Sequence, residues 1–340
     1  MKSMFMKKIL TLLLVGALSM IVLVGCGTKE QPADNQTTEN ANNTQTEQAN
    51  GEETVDTKTA EEEETHRTVS TIMGDVSVPI DPQRIIVNWY LGDVYALGVK
   101  PVAAYGWLQE SMVFYNDLAD VPLIENWDEE TIMSYEPDLI VTYNQEDFDK
   151  FSKIAPVLVI PESTVTSVER LAFLGEATGH KEEADTIIKT FEDKLATAKE
   201  SLNAEAFNGK TFSVMEDWGS SSYGIYYETG SRGGTLLYDY LGLKWPDKLD
   251  ELIKSTGEGR GDLSYEVAAE YFGDYVIWFL QEDYESEYAQ TEIYKSIPAV
   301  KDGHIVEIPG EQIGLFYYSD VLSLTAQLDY IIDKLVVLAE

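Results

Sequence analysis

Short apolar runs that alternate with helical segments constrain the fold of this chain more than any other feature of its sequence. The first four runs have the length of strands that are buried on both faces of a parallel sheet. These runs are 84–87, 101–104, 138–141 and 157–160. Helical segments lie between them and end at typical stop signals, segment 91–97 at Gly98 and segment 129–135 before Pro137. The alternation predicts a doubly wound α/β layer.

A helical region and a second set of alternating segments follow. Segment 168–178 ends at Gly179, and the apolar residues of segment 181–202 are spaced so that they share one face of a helix. Strand and helix segments then resume at 211–215, 223–226, 235–241, 275–280, 305–308 and 320–338. We therefore predict two doubly wound α/β lobes joined by a single long helix.

The N-terminus is predicted to be an export signal. Lysines precede an apolar run over residues 9–24, which stops shortly before Cys26, the single cysteine of the chain. The tetrapeptide at 23–26, Leu-Val-Gly-Cys, resembles the lipobox of bacterial lipoproteins, and this implies removal of residues 1–25 and lipidation of Cys26. The alternative is an uncleaved membrane anchor, but a membrane span needs about 20 apolar residues, more than this run offers.

Residues 27–65 have a composition that cannot form a core. They are rich in Asn, Gln, Thr and Glu, contain no aromatic residue and carry a net charge of 2 − 11 = −9. We predict a disordered acidic tether that holds a folded body off the membrane. The predicted domains are a signal peptide over 1–25, the lipidated cysteine and tether over 26–67, an N-terminal lobe over 68–165, a helical region with the bridging helix over 166–202, and a C-terminal lobe over 203–340.

Net charge and cysteine count exclude several classes of protein. The 340-residue chain has 24 Lys and Arg against 60 Asp and Glu, a formal net charge of −36, whereas nucleic-acid binding needs a basic surface. One cysteine and three histidines exclude a disulfide framework and a Cys/His zinc site. We expect no nucleic-acid partner, no resident cofactor and no metal-binding residues.

The motifs of common enzyme classes are incomplete in this chain. Gly209, Lys210 and Thr211 match the end of a phosphate-binding loop, but Ala204 stands where that loop needs its first glycine. The serine-rich segment 219–223 lacks the second glycine of a nucleophile elbow. We therefore expect a binding protein rather than an enzyme.

Several motifs, taken in their order along the chain, resemble those of the iron-siderophore and cobalamin substrate-binding proteins of ABC importers. They lie at 78–87, 97–101, 130–139, 154–156, 174–176, 232–234, 237–239, 241–244 and 316–320. The motifs from residue 232 onward are most similar to those of the hydroxamate-siderophore branch. The resemblance extends over residues 68–340 and implies a class III substrate-binding protein, with two lobes bridged by a rigid helix and the ligand in the cleft between them.

Aromatic residues are concentrated just after predicted strands, at the sheet edge where open α/β folds bind ligands. Flat amphipathic rings can pack on the partly apolar shell of a ferric siderophore and hydrogen-bond its carbonyls. The aromatic candidates are Trp89, Tyr90, Tyr105, Trp107, Tyr143, Trp218, Tyr226 and Tyr317. Arg232 and Arg260 lie in glycine-rich loops, where a guanidinium can approach oxygen ligands closely. The resemblance implies that Arg232 meets the chelating oxygens.

The resemblance also implies a transporter partner. The family docks on its permease through one exposed glutamate per lobe. Glu130 matches the first glutamate, but Thr235 stands at the second, so we expect that contact to be lost or moved to Asp239. We predict a monomeric, lipid-anchored protein on the outer face of the cell membrane of a Gram-positive bacterium, which passes its cargo to an ABC permease and that permease's ATPase.

The predicted cargo is a ferric siderophore of the hydroxamate type. A ferric tricatecholate carries about three negative charges and would be repelled by so acidic a body, so a neutral or cationic ferric hydroxamate suits the charge better. The alternatives are haem, cobalamin, a catecholate siderophore and bare ferric iron held by tyrosines. A surface adhesin is a further alternative, which the anchor and tether alone support.

Overall fold

The computed structural model of this chain describes residues 65–338. The predicted signal peptide, Cys26 and nearly all of the predicted tether lie outside the described residues. Among the described helices, none is both long enough and apolar enough to cross a membrane.

The described chain begins with an antiparallel hairpin that the sequence analysis does not predict. Strands β1 (His66–Thr71) and β2 (Gly74–Pro79) pair along their whole length. The Arg67 side chain donates to the carbonyls of Glu176 and Ile80 at 2.8 and 2.6 Å and so fastens the hairpin to the folded body. The predicted end of the tether at residue 67 is therefore wrong by two residues, because the paired strand already begins at residue 66.

The first sheet is parallel and has four strands in the order β4-β3-β5-β6. Its strands are β3 (Ile85–Asn88), β4 (Ala103–Tyr105), β5 (Leu139–Thr142) and β6 (Val157–Val159). Every residue in them except Tyr105 is buried, and this burial on both faces is what produces uninterrupted apolar runs. The helices between them are α1 (Leu91–Ala96), α2 (Tyr115–Leu118), α3 (Glu129–Ser134) and α4 (Glu146–Phe151).

The order of the strands creates a switch point beside β3. The chain places β4 on one side of β3 and β5 on the other. Loops leaving the carboxyl ends of two such strands diverge and open a crevice in which α/β proteins bind ligands. Trp89 directly follows β3 and Tyr143 directly follows β5, so both residues lie at this edge of the sheet.

Two consecutive helices lead from the first sheet to the second. Helix α5 (Ser167–Thr178) starts with a capping box between Thr166 and Glu169 and ends at Gly179 in the left-handed conformation. Helix α6 (Lys181–Ser201) has 21 residues, a length of about 31 Å, and packs against α5. The predicted bridging helix over 181–202 is this helix.

The second sheet is mixed and has five strands in the order β11-β10-β7-β8-β9. Its strands are β7 (Phe212–Asp217), β8 (Ile225–Glu228), β9 (Arg260–Leu263), β10 (Tyr275–Leu280) and β11 (Ile305–Ile308). The first, fourth and fifth of these run parallel, whereas β8 and β9 are antiparallel to their neighbours. This lobe therefore departs from a purely parallel layer, because the short turn after β7 returns the chain as a hairpin without a crossover helix.

Short helices and one long helix complete the second lobe. They are α7 (Asp247–Thr256), α8 (Tyr265–Ala268), α9 (Glu292–Ser296), α10 (Pro298–Lys301) and α11 (Val321–Leu338). A π-helical turn spans Thr235–Tyr240. Segments of 3₁₀ helix span Glu162–Thr164, Glu205–Phe207, Ala269–Tyr271, Tyr288–Gln290 and Gly310–Phe316.

The largest hydrophobic cluster extends through both lobes. It joins Val87 and Leu91 of the first lobe to Val214 and Phe316 of the second. Helix α11 packs against α1 and α6 as well as against the π-helical turn, so its apolar face is shared between the lobes. The lobes are therefore held together by a common core in addition to the covalent connection through α5 and α6.

Candidate ligand-binding site

A cavity of about 680 Å³ lies where loops of the two lobes face each other. The first lobe contributes Trp89 and the segment from residue 162 to the start of α5. The second lobe contributes the glycine-rich loop around Arg232 and the aromatic loop that contains Tyr317. Three of the predicted ligand residues, one at β3 and two in the second lobe, thus line one cavity. A smaller cavity of about 280 Å³ adjoins it and shares Arg232 and Tyr317.

Aromatic rings from both lobes form one wall of this site. The ring of Tyr317 lies 4.5 Å from that of Trp107 and 5.5 Å from that of Trp89, centroid to centroid. Tyr318, which the sequence analysis does not select, stacks edge-on against Trp89 at 5.1 Å. These four rings, hereafter the ring wall, are close enough to support one another. They offer a ligand a broad apolar surface edged with polar groups.

Arg232 is held in place by a buried carboxylate. Its Nε lies 3.1 Å from Oε1 of Glu216, a side chain with 0% exposure, and Gln281 donates to the same oxygen at 2.8 Å. Its guanidinium lies 5.4 Å from the centroid of Tyr317. The backbone of Arg232 has a φ of +52°, an unfavourable conformation that persists only when its surroundings fix it. The result is an immobilised guanidinium at the junction of the two cavities.

Arg260 is the first residue of β9, which lies next to β8. It belongs to the same charge network as Arg232 and Glu216. It forms an ion pair with Glu228, and its Nη2 lies 3.9 Å from Oε2 of Glu216. Its guanidinium also lies over the ring of Tyr226, 4.0 Å from the centroid. Burial raises the pKa of Glu228, against the lowering effects of a hydrogen bond from Ser231 and the charge of Arg260. Arg260 is 46% exposed and lines neither cavity.

The hairpin between β7 and β8 carries a second aromatic group. Trp218, Tyr223 and Tyr226 contact one another with centroids 5.8 to 6.1 Å apart. Trp218 lines the smaller cavity together with Trp107. Trp218 thus extends the site from the ring wall towards this hairpin, whereas Tyr226 lies under Arg260 and lines neither cavity.

Two predicted tyrosines of the first lobe lie outside both cavities. Tyr105 is half-exposed and packs against Trp127 at 5.9 Å. Tyr143 is similarly exposed, and its pKa is raised by burial and then by the charge of Glu162, a residue of the larger cavity. The contact of either residue with a ligand stays a prediction.

The prediction for Tyr90 is wrong. Its side chain is 1% exposed, its hydroxyl donates to the carbonyl of Ile160, and its ring lies under Arg170 at 4.6 Å. Trp89 has a φ of +72°, and this turn directs the two adjacent aromatic side chains to different places. Trp89 lines the cavity, whereas Tyr90 becomes part of the core and has no surface to offer a ligand.

A buried charge cluster lies beneath the cavity. Arg170, a cavity-lining residue, pairs with Asp93 at 3.0 Å and donates to the carbonyl of Ser319 at 3.2 Å. Burial raises the pKa of Asp93 to about 7, opposed by the charge of Arg170 and assisted by that of Asp320. This cluster was not predicted from the sequence, in which the available signal is a charged residue on the buried face of α5.

The remaining predicted positions lie in α3 and in the second lobe. Glu130 is exposed in the first turn of α3, which is capped by Asp128, and its docking role stays a prediction. Thr235 and Asp239 both line the larger cavity. A Cβ atom at Gly230 would meet nothing within 4 Å, so the site has spare room there. In the described part of the chain, no group of three or more His, Cys, Asp or Glu side chains could hold a metal ion.

Comparison with known proteins gives consistent results. The model of the periplasmic binding protein family matches residues 87–312. The iron(3+)-hydroxamate-binding protein YxeB of Bacillus subtilis (strain 168) is 30% identical over 292 residues, which cover 83% of this chain and 89% of the relative. The iron(3+)-hydroxamate-binding protein FhuD of the same strain is 28% identical over 270 residues, covering 77% of this chain and 84% of that one. The solved structure of the FhuD protein from S. pseudintermedius superimposes with a TM-score of 0.68 at 25% identity, covering 80% of this chain and 98% of that one.

Proposed function

Because this chain belongs to the periplasmic binding protein family, we propose that it captures a ferric siderophore of the hydroxamate type and delivers it to an ABC importer. The curated relatives carry names that specify iron(3+)-hydroxamate binding. These relatives match 83% and 77% of this chain. The proposal therefore applies to both lobes of the protein.

The observation that carries the proposal is the ring wall next to an immobilised guanidinium. A ferric trishydroxamate has a compact polar core, in which chelating oxygens surround the metal, and a partly apolar organic shell. Tyr317 and Trp107 offer the shell a flat surface, and Arg232 lies beside Tyr317 as a source of charge-assisted hydrogen bonds to the core. A cavity of about 680 Å³ has the size expected of a site for a small organic ligand.

Attachment and delivery are the finer parts of the proposal. Lipidation of Cys26 would add two acyl chains, which is the number needed for stable anchoring. Glu130 would pair with an arginine of the permease, and no equivalent acid stands at Thr235. In this proposal the monomer is tethered outside the membrane and brings its cargo to the permease by diffusion within reach of the tether.

The proposal is tested by titration of the purified body, residues 65–340, with a panel of iron compounds. The panel consists of ferrioxamine B, ferrichrome, a ferric tricatecholate, cobalamin, haem and ferric citrate as a source of bare iron. Tryptophan fluorescence reports binding, because Trp89 and Trp107 line the two cavities, and calorimetry controls for absorption by the ligands. We expect sub-micromolar binding of at least one ferric hydroxamate. Binding of haem or cobalamin alone, or of no compound in the panel, would contradict the proposal.

A further inference from the structure

The larger cavity is surrounded by more carboxyl groups than its arginines can balance. Both of its arginines, Arg170 and Arg232, are paired with buried carboxylates. No lysine is among the described residues that line either cavity. The positive charge that the sequence places at the site is therefore already matched by the protein's own acids.

Two further acids of the cavity lack a basic partner. Glu162 lies before α5 in the first lobe, and Asp239 lies in the π-helical turn of the second. Neither forms an ion pair within 4.0 Å among residues 65–338. Glu169, the remaining acid of the lining, accepts hydrogen bonds from Thr166 in the capping box. The unmatched charge thus comes from both lobes and is negative.

A buried acceptor without a donor also favours a ligand that carries N–H groups. Gln327 is 1% exposed and lines the cavity, and its Nε2 donates to the carbonyls of Leu315 and Tyr318 at 3.0 and 2.9 Å. With the amide orientation thus fixed, Oε1 has no donor among the described residues. A site with a spare acceptor and spare negative charge is suited to a ligand that brings N–H donors and positive charge.

We propose that the site selects ferric hydroxamates that carry a protonated amine, and that Glu162 and Asp239 supply this selectivity. This inference rests on the proposed function, which it narrows from ferric hydroxamates as a class to their cationic members. The ring wall and Arg232 bind the part of the chelate that all ferric hydroxamates share. The two acids attract the cationic end of the chelate and disfavour an anionic one.

The test uses three ligands with one iron core. Ferrioxamine B has three hydroxamates and a terminal ammonium, its N-acetyl derivative is neutral, and its N-succinyl derivative ends in a carboxylate. Each is titrated against the same protein by calorimetry at low and at high salt. We expect affinity to fall about tenfold at each step from cation to neutral to anion, and the differences to shrink in 0.5 M salt because the acids are partly exposed.

A pair of double variants assigns the effect to the two residues. Glu162→Gln with Asp239→Asn should bring the three affinities to within about threefold of one another. Glu192→Gln with Asp302→Asn removes the same charge from exposed positions that line neither cavity and should leave the discrimination intact. Equal affinities in the unmodified protein, or equal effects of the two double variants, would overturn the inference while leaving the proposed function standing. If none of the three chelates binds but ferrichrome does, the inference alone fails, and if ferrichrome does not bind either, the proposed function fails as well.

Discussion

The hydroxyl of Tyr318 joins the two lobes through the backbone of Trp107. It accepts from the N–H of Trp107 at 2.9 Å and donates to the carbonyl of the same residue at 3.0 Å. Beside it, the side-chain amide of Gln109 donates to the carbonyl of Gly310 at 3.1 Å and accepts from the N–H of Gly314 at 2.6 Å. Loops about 200 positions apart in the sequence are thereby tied at one rim of the cavity.

Removal of the Tyr318 hydroxyl should weaken this tie. Tyr318→Phe leaves the N–H and the carbonyl of Trp107 without their partner, and we expect the free energy of unfolding to fall by about 1–2 kcal/mol. Urea denaturation measures the change. Tyr330→Phe is the matched control, because that hydroxyl makes no hydrogen bond within residues 65–338. Equal stability of the two variants would show that the hydroxyl of Tyr318 does not stabilise the rim.

Any side chain at position 92 is expected to lower the free energy of unfolding. A Cβ atom there would lie 2.3 Å from Cγ of Asp320, and Asp320 cannot swing away because Ser323 donates to it from both backbone and side chain. Gly92→Ala should therefore cost about 1–3 kcal/mol in the free energy of unfolding. Gly230→Ala, where the new methyl group meets nothing within 4 Å, should change stability by less than about 0.5 kcal/mol. The reverse ranking would mean that the packing described around Gly92 is wrong.

Arg232 is expected to contribute to affinity. Arg232→Gln keeps a hydrogen-bonding partner for the buried Glu216 but removes the charged donors, and we expect the dissociation constant for a ferric hydroxamate to rise at least about tenfold. The control is Arg84→Gln, since Arg84 precedes β3 and donates to the carbonyl of Glu136, outside both cavities. Unfolding curves for both variants show whether the protein remains folded. An unchanged dissociation constant for the first variant would remove Arg232 from the site.

Asp93 should give the stability of the protein a specific pH dependence. Burial raises its pKa from 3.8 to about 7 in the folded state, so between about pH 4 and pH 7 the folded state binds more protons at this group than the unfolded state does. The free energy of unfolding contributed by Asp93 is then present below that window and is lost as the pH rises through it. The charges facing the carboxyl group are those of Arg170, Asp320 and Glu162.

The comparison of Asp93→Asn with the unmodified protein isolates this contribution. On going from pH 4.5 to pH 7.5, we expect the variant to lose less stability than the unmodified protein, by about 3 kcal/mol. Asp302→Asn, an exposed position, should follow the unmodified protein. Parallel pH profiles for Asp93→Asn and the unmodified protein would contradict the assignment.

The strands of the first sheet could be predicted from the sequence because burial on both faces excludes polar residues. Strand β9 could not, since it lies at a sheet edge and three of its four residues are not buried. Arg-Gly-Asp-Leu at this strand has no apolar run and no alternation, so its pairing with β8 depends on the tertiary structure alone. The antiparallel edge of the second lobe and the β1–β2 hairpin are therefore the parts of the fold that could not be predicted from the sequence.

The lining of the candidate cavity was predictable where a residue's type and position in the sequence are themselves distinctive. Arg232 and Tyr317 could be found as a scarce arginine in a glycine-rich loop and an aromatic residue in a late loop. Glu216 could not, because among 60 acids nothing in the sequence distinguishes the one that folding places beside Arg232. The sequence also could not show which of the adjacent residues Trp89 and Tyr90 lines the cavity. The backbone angle at Trp89 decides this.

The hydrogen bonds between the loop of Trp107 and the loop of Tyr318 are made by protein atoms alone and need no ligand to form them. We therefore expect little conformational entropy to be lost on loading, and rapid capture from dilute solution. The same rigidity would slow release of the ligand, because a rim that does not change shape gains no conformational entropy when the ligand leaves. Release of the ligand would then require the receiving transporter to pull the two loops of the rim apart.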